Sequence, residues 1–228
     1  MSTLRATLVV IQALFTQIAT TPPNKTPSKG RYHTDEWFIL RVAPFIFALQ
    51  QPFIWLCTSL EVLALFPPDY IPFLSLLHLP PRSEAHSFVT LPFLVGFAAA
   101  ITGSIIRAIC FRTLGHLFTF DLTVFEGHKL VTSGPYAYVR HPSYCGSLLL
   151  VFGIPVSQLT RGSFLVESGL LNPRGLFVIT MWASWWAWSV TVAVRRAIAE
   201  DQEMKKQFGK EWEVYAAKVR WWFMPALL

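Results

Sequence analysis

The sequence predicts an all-α integral membrane protein with about five transmembrane helices, the last two forming a C-terminal helical hairpin. Three observations lead there. Of 228 residues, 53% are apolar and only 14% are charged, and the mean hydropathy is +0.44; soluble domains carry roughly 25% charged residues. Nine Trp and nineteen Phe are present, and aromatic side chains are favoured at lipid interfaces. The apolar residues also fall in long segments, separated by polar and proline-rich stretches.

The first segment, Thr3–Ala19, is marginal, since spanning takes roughly 20 residues. Gln12 and Gln17 interrupt it and no small-residue cleavage site follows, so a short membrane helix is expected here, not a signal peptide. The linker Thr20–Glu36 is rich in Pro, Thr and Lys. Segment two, Phe38–Phe66, carries Pro44 and Pro52, so a kink or tilt is expected. A connection with Pro67, Pro68, Pro72, Pro80 and Pro81 leads to segment three, Phe88–Phe111. There Gly96, Ala98, Ala99, Ala100, Gly103 and Ser104 allow close helix approach. Arg112–His141 is mostly non-spanning. Segment four, Pro142–Leu159, is short, and segment five, Gly175–Val194, carries Trp182, Trp185, Trp186 and Trp188. The polar tail Arg195–Leu228 reads as helical. The chain thus divides into N-terminal spans (1–111) and a region of two further spans plus tail helix (112–228).

Basic residues set the orientation. With five crossings, Lys25, Lys29, Arg31, the Arg112–His141 stretch and the tail share one face, and the tail alone holds Arg195, Arg196, Lys205, Lys206, Lys210, Lys218 and Arg220. Arg5, Arg82, Arg161 and Arg174 fall on the other, so the first face is expected to be cytoplasmic. The net charge of +6 therefore reads as basic loops beside anionic headgroups, with no nucleic-acid partner expected. Cys57, Cys110 and Cys145 form neither a metal pattern nor a disulfide framework.

The most informative stretch is Leu130–Gly146, L-V-T-S-G-P-Y-A-Y-V-R-H-P-S-Y-C-G. Ionisable groups beside a bilayer are costly without partners, and helix-interrupting Pro and Gly are tolerated there only against protein or a cavity. The stretch is expected to line a site. Ser133-Gly134-Pro135 is turn chemistry, and Pro142 suits the first turn of a helix. His141 has no Cys/His/carboxylate set to make it a zinc ligand, and no metal is expected. No P-loop, G-x-S-x-G or strand-borne G-x-G-x-x-G motif occurs. In the tail, Arg196 and Glu200 share a helix face. They read either as a solvated ion pair or as a carboxylate clamp with a neighbouring hydrogen-bond acceptor, and spacing leaves both open.

His128–Val131, Tyr136, Arg140–Tyr144 and the tail pattern Arg196…Glu200…Phe208-Gly209-Lys210-Glu211-Trp212…Tyr215…Val219 together resemble the isoprenylcysteine carboxyl methyltransferase family. The resemblance covers roughly Gly115 to Pro225. R-H-P-x-Y alone is less specific, because it recurs in related membrane methyltransferases and, in variant form, in sterol reductases. The resemblance implies an enzyme that methylates the C-terminal carboxylate of prenylated cysteine with S-adenosylmethionine, from a cytoplasmic pocket in the endoplasmic reticulum membrane. It implies that His128, Lys129, Leu130, Val131, Tyr136, His141, Pro142, Ser143, Tyr144 and Glu200 wall the cofactor. Arg196 would face the substrate carboxylate with Arg140 assisting, and the prenyl chain would enter from the bilayer. The chain departs from the family in having Glu200-Asp201 where adjacent glutamates are common, and Pro135 before Tyr136. Asp121 is a candidate for a further upstream cofactor contact. Other readings are a phospholipid-amine methyltransferase, a membrane reductase using a nicotinamide cofactor, and a non-catalytic scaffold.

Overall fold

The computed structural model describes residues 3–24, 43–66, 88–120, 122–123, 127–168 and 176–225, with 43–47 and 176 described by backbone alone. Every element among them is helical. In chain order they are α1 (Thr3–Thr20), α2 (Ala43–Leu63), α3 (Leu91–Leu114), α4 (Pro142–Gln158), the single turn α5 (Phe164–Glu167), α6 (Leu176–Phe208) and α7 (Lys210–Lys218). Short 3-10 turns occupy Gly115–Leu117 and Gly134–Ala137. Three stretches, Thr3–Thr20, Leu91–Leu117 and Phe177–Phe208, are long and apolar enough to cross a membrane. The chain is an all-α integral membrane protein. The second and fourth expected spans are helices of 21 and 17 residues.

Helix α6 differs from the sequence expectation. The span was expected to end at Val194 before a separate tail, but one helix of 33 residues continues to Phe208. At about 1.5 Å per residue it is about 50 Å long, longer than a bilayer core of about 30 Å. Arg196, Glu200 and Asp201, expected on a helix of the tail, therefore sit on the continuation of the spanning helix itself. Gly209, at φ +51°, turns the chain into α7. In α2, Pro52 lies inside a continuous helix.

The tightest packing joins α3 to α4, and its cause is glycine. A Cβ on Gly96 would lie 2.7 Å from the Gly153 carbonyl oxygen, and one on Gly153 would lie 2.5 Å from that of Gly96. Gly103 and Gly146 repeat the arrangement at 2.5 and 2.7 Å. The two pairs run in opposite chain directions, so the helices are antiparallel with backbones in contact. The small residues seen in segment three thus find small partners in segment four. Helix α1 packs on α2 and α3, and α4 also contacts α6. Ala13, Ala19, Ile54, Ala100, Leu150 and Ile154 form the core where α1 to α4 meet.

Away from the glycine contacts, a buried ion pair ties the first helices together. Arg5, fully buried, donates from Nε to Glu61 Oε1 at 3.2 Å and from Nη2 to the Ser157 carbonyl at 2.9 Å. Glu61 Oε2 accepts the Phe164 backbone N–H at 2.8 Å. Arg5, counted above among the charges of the second face, is a packing residue. Removing it from that face leaves the charge asymmetry larger, not smaller.

Candidate functional site

Pro142 begins α4 at a position where its missing N–H leaves no donor unpaired. A residue before proline is kept out of the helical region, and His141 takes φ −127°, ψ 59°. The ring of His141 does not cap the helix. It turns to α6, where Nδ1 faces Glu200 Oε2 at 3.2 Å and Nε2 faces Asp201 Oδ1 at 2.8 Å. Tyr144, one turn into α4, donates its hydroxyl to Glu200 Oε1 and accepts from Arg196 Nε at 3.2 Å. Arg196 Nη2 donates to the Phe120 carbonyl. The phenol thus joins the two residues whose spacing alone was undecided.

Behind this network runs the C-terminal segment. The Arg140 and His141 backbone N–H groups donate to the Trp221 and Trp222 carbonyls at 2.9 and 2.8 Å. The Arg140 guanidinium lies over the Trp222 ring and pairs with Asp201 Oδ2 at 2.6 Å. Tyr215 donates from its hydroxyl to the Tyr136 carbonyl at 2.8 Å, fixing the Gly134–Ala137 turn.

These groups surround one cavity. His128, Lys129, Leu130, Val131, Tyr136, Arg140, His141, Ser143, Tyr144, Arg196 and Glu200 all line it. Pro142 does not; it is buried and starts the helix. Asp121 lies outside the described residues. On α6 the lining residues Ser189, Val192, Arg196, Glu200 and Met204 recur every three or four positions, one face of the helix.

Arg107 of α3 is a charged lining residue that sequence reasoning missed. It is buried and donates to Ala19 O at 2.7 Å, Ser143 Oγ at 3.1 Å and Ser147 Oγ at 2.6 Å. Phe111, Phe118 and Phe120 surround its guanidinium, with ring centroids 5.3, 6.0 and 5.0 Å away. All of its hydrogen-bond partners are neutral oxygens, and among the described residues no carboxylate pairs with it. The available signal was a charge inside an apolar segment, which marks a site by default.

The cavity therefore has a cationic wall from Arg107 and Arg196, an acidic group in Glu200, and apolar walls from Leu148, Val151 and Val192. Burial works against a charge on His141, but hydrogen bonds to Asp201 and Glu200 outweigh it and raise its pKa above 6.5. Burial and nearby His116 lower that of His128.

The cavity and the motif residues together invite comparison with known proteins. The isoprenylcysteine carboxyl methyltransferase (ICMT) family model matches residues 94–160. The chain resembles this family. That match takes in most of α3, the connecting stretch and α4, including Arg107 and the Arg140–Tyr144 run. A protein of Oryza sativa subsp. indica named "Probable protein-S-isoprenylcysteine O-methyltransferase" is 32% identical over 127 residues, 55% of this chain and 57% of its own length. Protein-S-isoprenylcysteine O-methyltransferase B of Arabidopsis thaliana is 30% identical over 128 residues, 54% of this chain and 55% of its own. The Delta(14)-sterol reductase ERG24B of Gibberella zeae is 25% identical over 123 residues, 45% of this chain and 25% of its own. The chain spans little more than half the length of these two methyltransferases.

Proposed function

We propose that the protein methylates the C-terminal carboxylate of prenylated cysteine, with S-adenosylmethionine as methyl donor, from the cytoplasmic face of the endoplasmic reticulum membrane. The carrying observation is that most of the resemblance residues surround one cavity whose wall includes a buried arginine with no carboxylate partner among the described residues. A buried cation among neutral oxygens favours an anionic ligand. A phospholipid amine as acceptor gives it no role.

The residues fit a donor that is itself a zwitterion carrying a further cation. Glu200 supplies the one lining carboxylate among the described residues. Buried Arg140 Nε has no partner among the described residues, although Arg140 lines the cavity. Met204, Trp212 and Tyr215 offer apolar surface for a flat ring system. When bound, the donor supplies a methyl group already activated by a sulfonium. The chain's own task is then positioning and the exclusion of water.

No general base is required, because the acceptor carboxylate is ionised at neutral pH. Arg107 and Arg196 hold and orient that carboxylate. Arg196 also donates to Tyr144 and Phe120, so its hold on the acceptor is shared and leaves the attacking oxygen nucleophilic. The apolar side chains of α4 and α6 receive the prenyl chain from the bilayer.

The test is to incubate membranes carrying the protein with labelled S-adenosylmethionine and N-acetyl-farnesylcysteine. Base-labile methyl ester is expected. Label recovered in phospholipid instead would reassign the acceptor, and no labelled product would remove the reading.

A further inference from the structure

Asp201 stands one residue beyond Glu200 on α6 and does not line the cavity. Yet each of its oxygens reaches a residue that does. Oδ2 accepts from Arg140 Nη1 at 2.6 Å, and Oδ1 meets His141 Nε2 at 2.8 Å. Glu200 takes the other ring nitrogen of His141. An imidazole facing a carboxylate at each nitrogen satisfies both only when it carries both protons.

The remaining surroundings of His141 leave this assignment intact. From its own helix comes the Tyr144 ring, and from the C-terminal segment come the Trp222 and Phe223 rings, all uncharged. The neighbouring cation, Arg140, is itself paired with Asp201. Asp201 thus compensates two cations at once, and a chain of contacts runs from it through His141, Glu200 and Tyr144 to Arg196.

We propose that Asp201 is a positioning residue that holds His141 and Arg140 in the geometry needed to bind the methyl donor, an inference that rests on the reading in the previous subsection. Protonated His141 donates to Glu200 Oε2 while Tyr144 donates to Oε1. Both carboxylate oxygens are fixed from behind, so Glu200 meets the donor in one orientation. Arg140 is anchored by Nη1 to Asp201 and by Nη2 to the Arg220 carbonyl at 3.3 Å, which fixes its Nε, unpartnered among the described residues.

A neutral residue at position 201 removes one of the two anions that favour protonated His141, so the ring loses its proton at a lower pH. S-adenosylmethionine binding to the purified full chain is measured by calorimetry across pH for the unaltered chain, Asp201→Asn, Asp201→Glu and His141→Gln. For Asp201→Asn the alkaline loss of affinity begins at a lower pH, leaving binding about tenfold weaker on the alkaline side. The deficit shrinks as the pH falls, because acid keeps His141 protonated in both forms. Asp201→Glu keeps the charge and the original profile. His141→Gln flattens the profile, which reads the same linkage if Asp201→Asn does not fold.

An Asp201→Asn deficit of the same size at every pH, or no deficit, overturns the proposal. So does a pH profile that survives in His141→Gln. An unaltered chain that binds no S-adenosylmethionine overturns the functional reading and this proposal together. An unaltered chain that binds it beside an unshifted Asp201→Asn overturns this proposal alone.

Discussion

Replacing Arg107 with Gln separates acceptor binding from donor binding. The guanidinium makes three short contacts to neutral oxygens, at 2.7, 3.1 and 2.6 Å, and has no carboxylate partner among the described residues. Its charge is therefore available to an acceptor carboxylate, and a hydrogen bond to a charged group contributes about 1.5–3 kcal/mol. Losing it predicts that kcat/KM for N-acetyl-farnesylcysteine falls about 10- to 150-fold, at about 1.4 kcal/mol per tenfold. Arg107→Lys keeps the charge but not the fork, so it falls between the two. Steady-state methyl-ester formation against acceptor concentration gives the ratio, and calorimetry with S-adenosylmethionine gives donor affinity on the same preparation. The donor dissociation constant stays near that of the unaltered chain. A folded Arg107→Gln with unchanged acceptor kinetics refutes the reasoning, as does a loss confined to donor affinity.

Further outcomes follow from the same contacts. Tyr144→Phe removes the hydroxyl that joins Glu200 to Arg196, so donor affinity falls about 10- to 150-fold by calorimetry, the worth of one charge-assisted hydrogen bond. Glu61→Ala strips fully buried Arg5 of its charged partner Glu61, and breaking a buried pair costs about 3–5 kcal/mol. A large drop in melting temperature in detergent checks it. Gly153→Val places a side chain where even a Cβ meets the Gly96 carbonyl oxygen at 2.5 Å. Such overpacking costs typically about 1–3 kcal/mol, read as a lower melting temperature together with lost ester formation.

The motif half of the site was legible because its residues announce themselves locally. Pro142 fixes a helix start, the Ser133-Gly134-Pro135 turn is punctuated by its own chemistry, and Arg196 and Glu200 share a face at four-residue spacing. Arg196 and Glu200 line one cavity, and the turn and the helix start each lie beside a residue that does, Tyr136 and His141. What spacing did not reveal was which partner each charge takes. Arg196 and Glu200 look like an i, i+4 pair, but Tyr144 from another helix stands between them. Asp201 looked like the second of two similar acids, yet it turns to His141 and Arg140 rather than lining the cavity. Such choices depend on helices separated by more than fifty residues in sequence, which local pattern does not encode.

The N-terminal helices were read from hydropathy alone, and hydropathy conceals their part in the site. The Ala19 carbonyl in the last turn of α1 accepts from Arg107, a favourable place for a cation near a helix C-terminus. Asn24 donates from Nδ2 to the Gly115 and Phe118 carbonyls at 2.8 and 2.9 Å, pinning the chain that leads to Phe120. Phe120 in turn holds Arg196 through its carbonyl and packs its ring near Arg107. Both cations, Arg107 and Arg196, of the cavity wall are therefore set partly by residues before 25 and partly by the 115–120 connection. The glycine contacts belong to the same arrangement. A Cβ on Gly146 would lie 2.9 Å from Arg107 Cγ, so the close approach of α3 to α4 is what brings Arg107 within reach of Ser143 and Ser147. A change that separates those helices moves the guanidinium even though it alters no polar group.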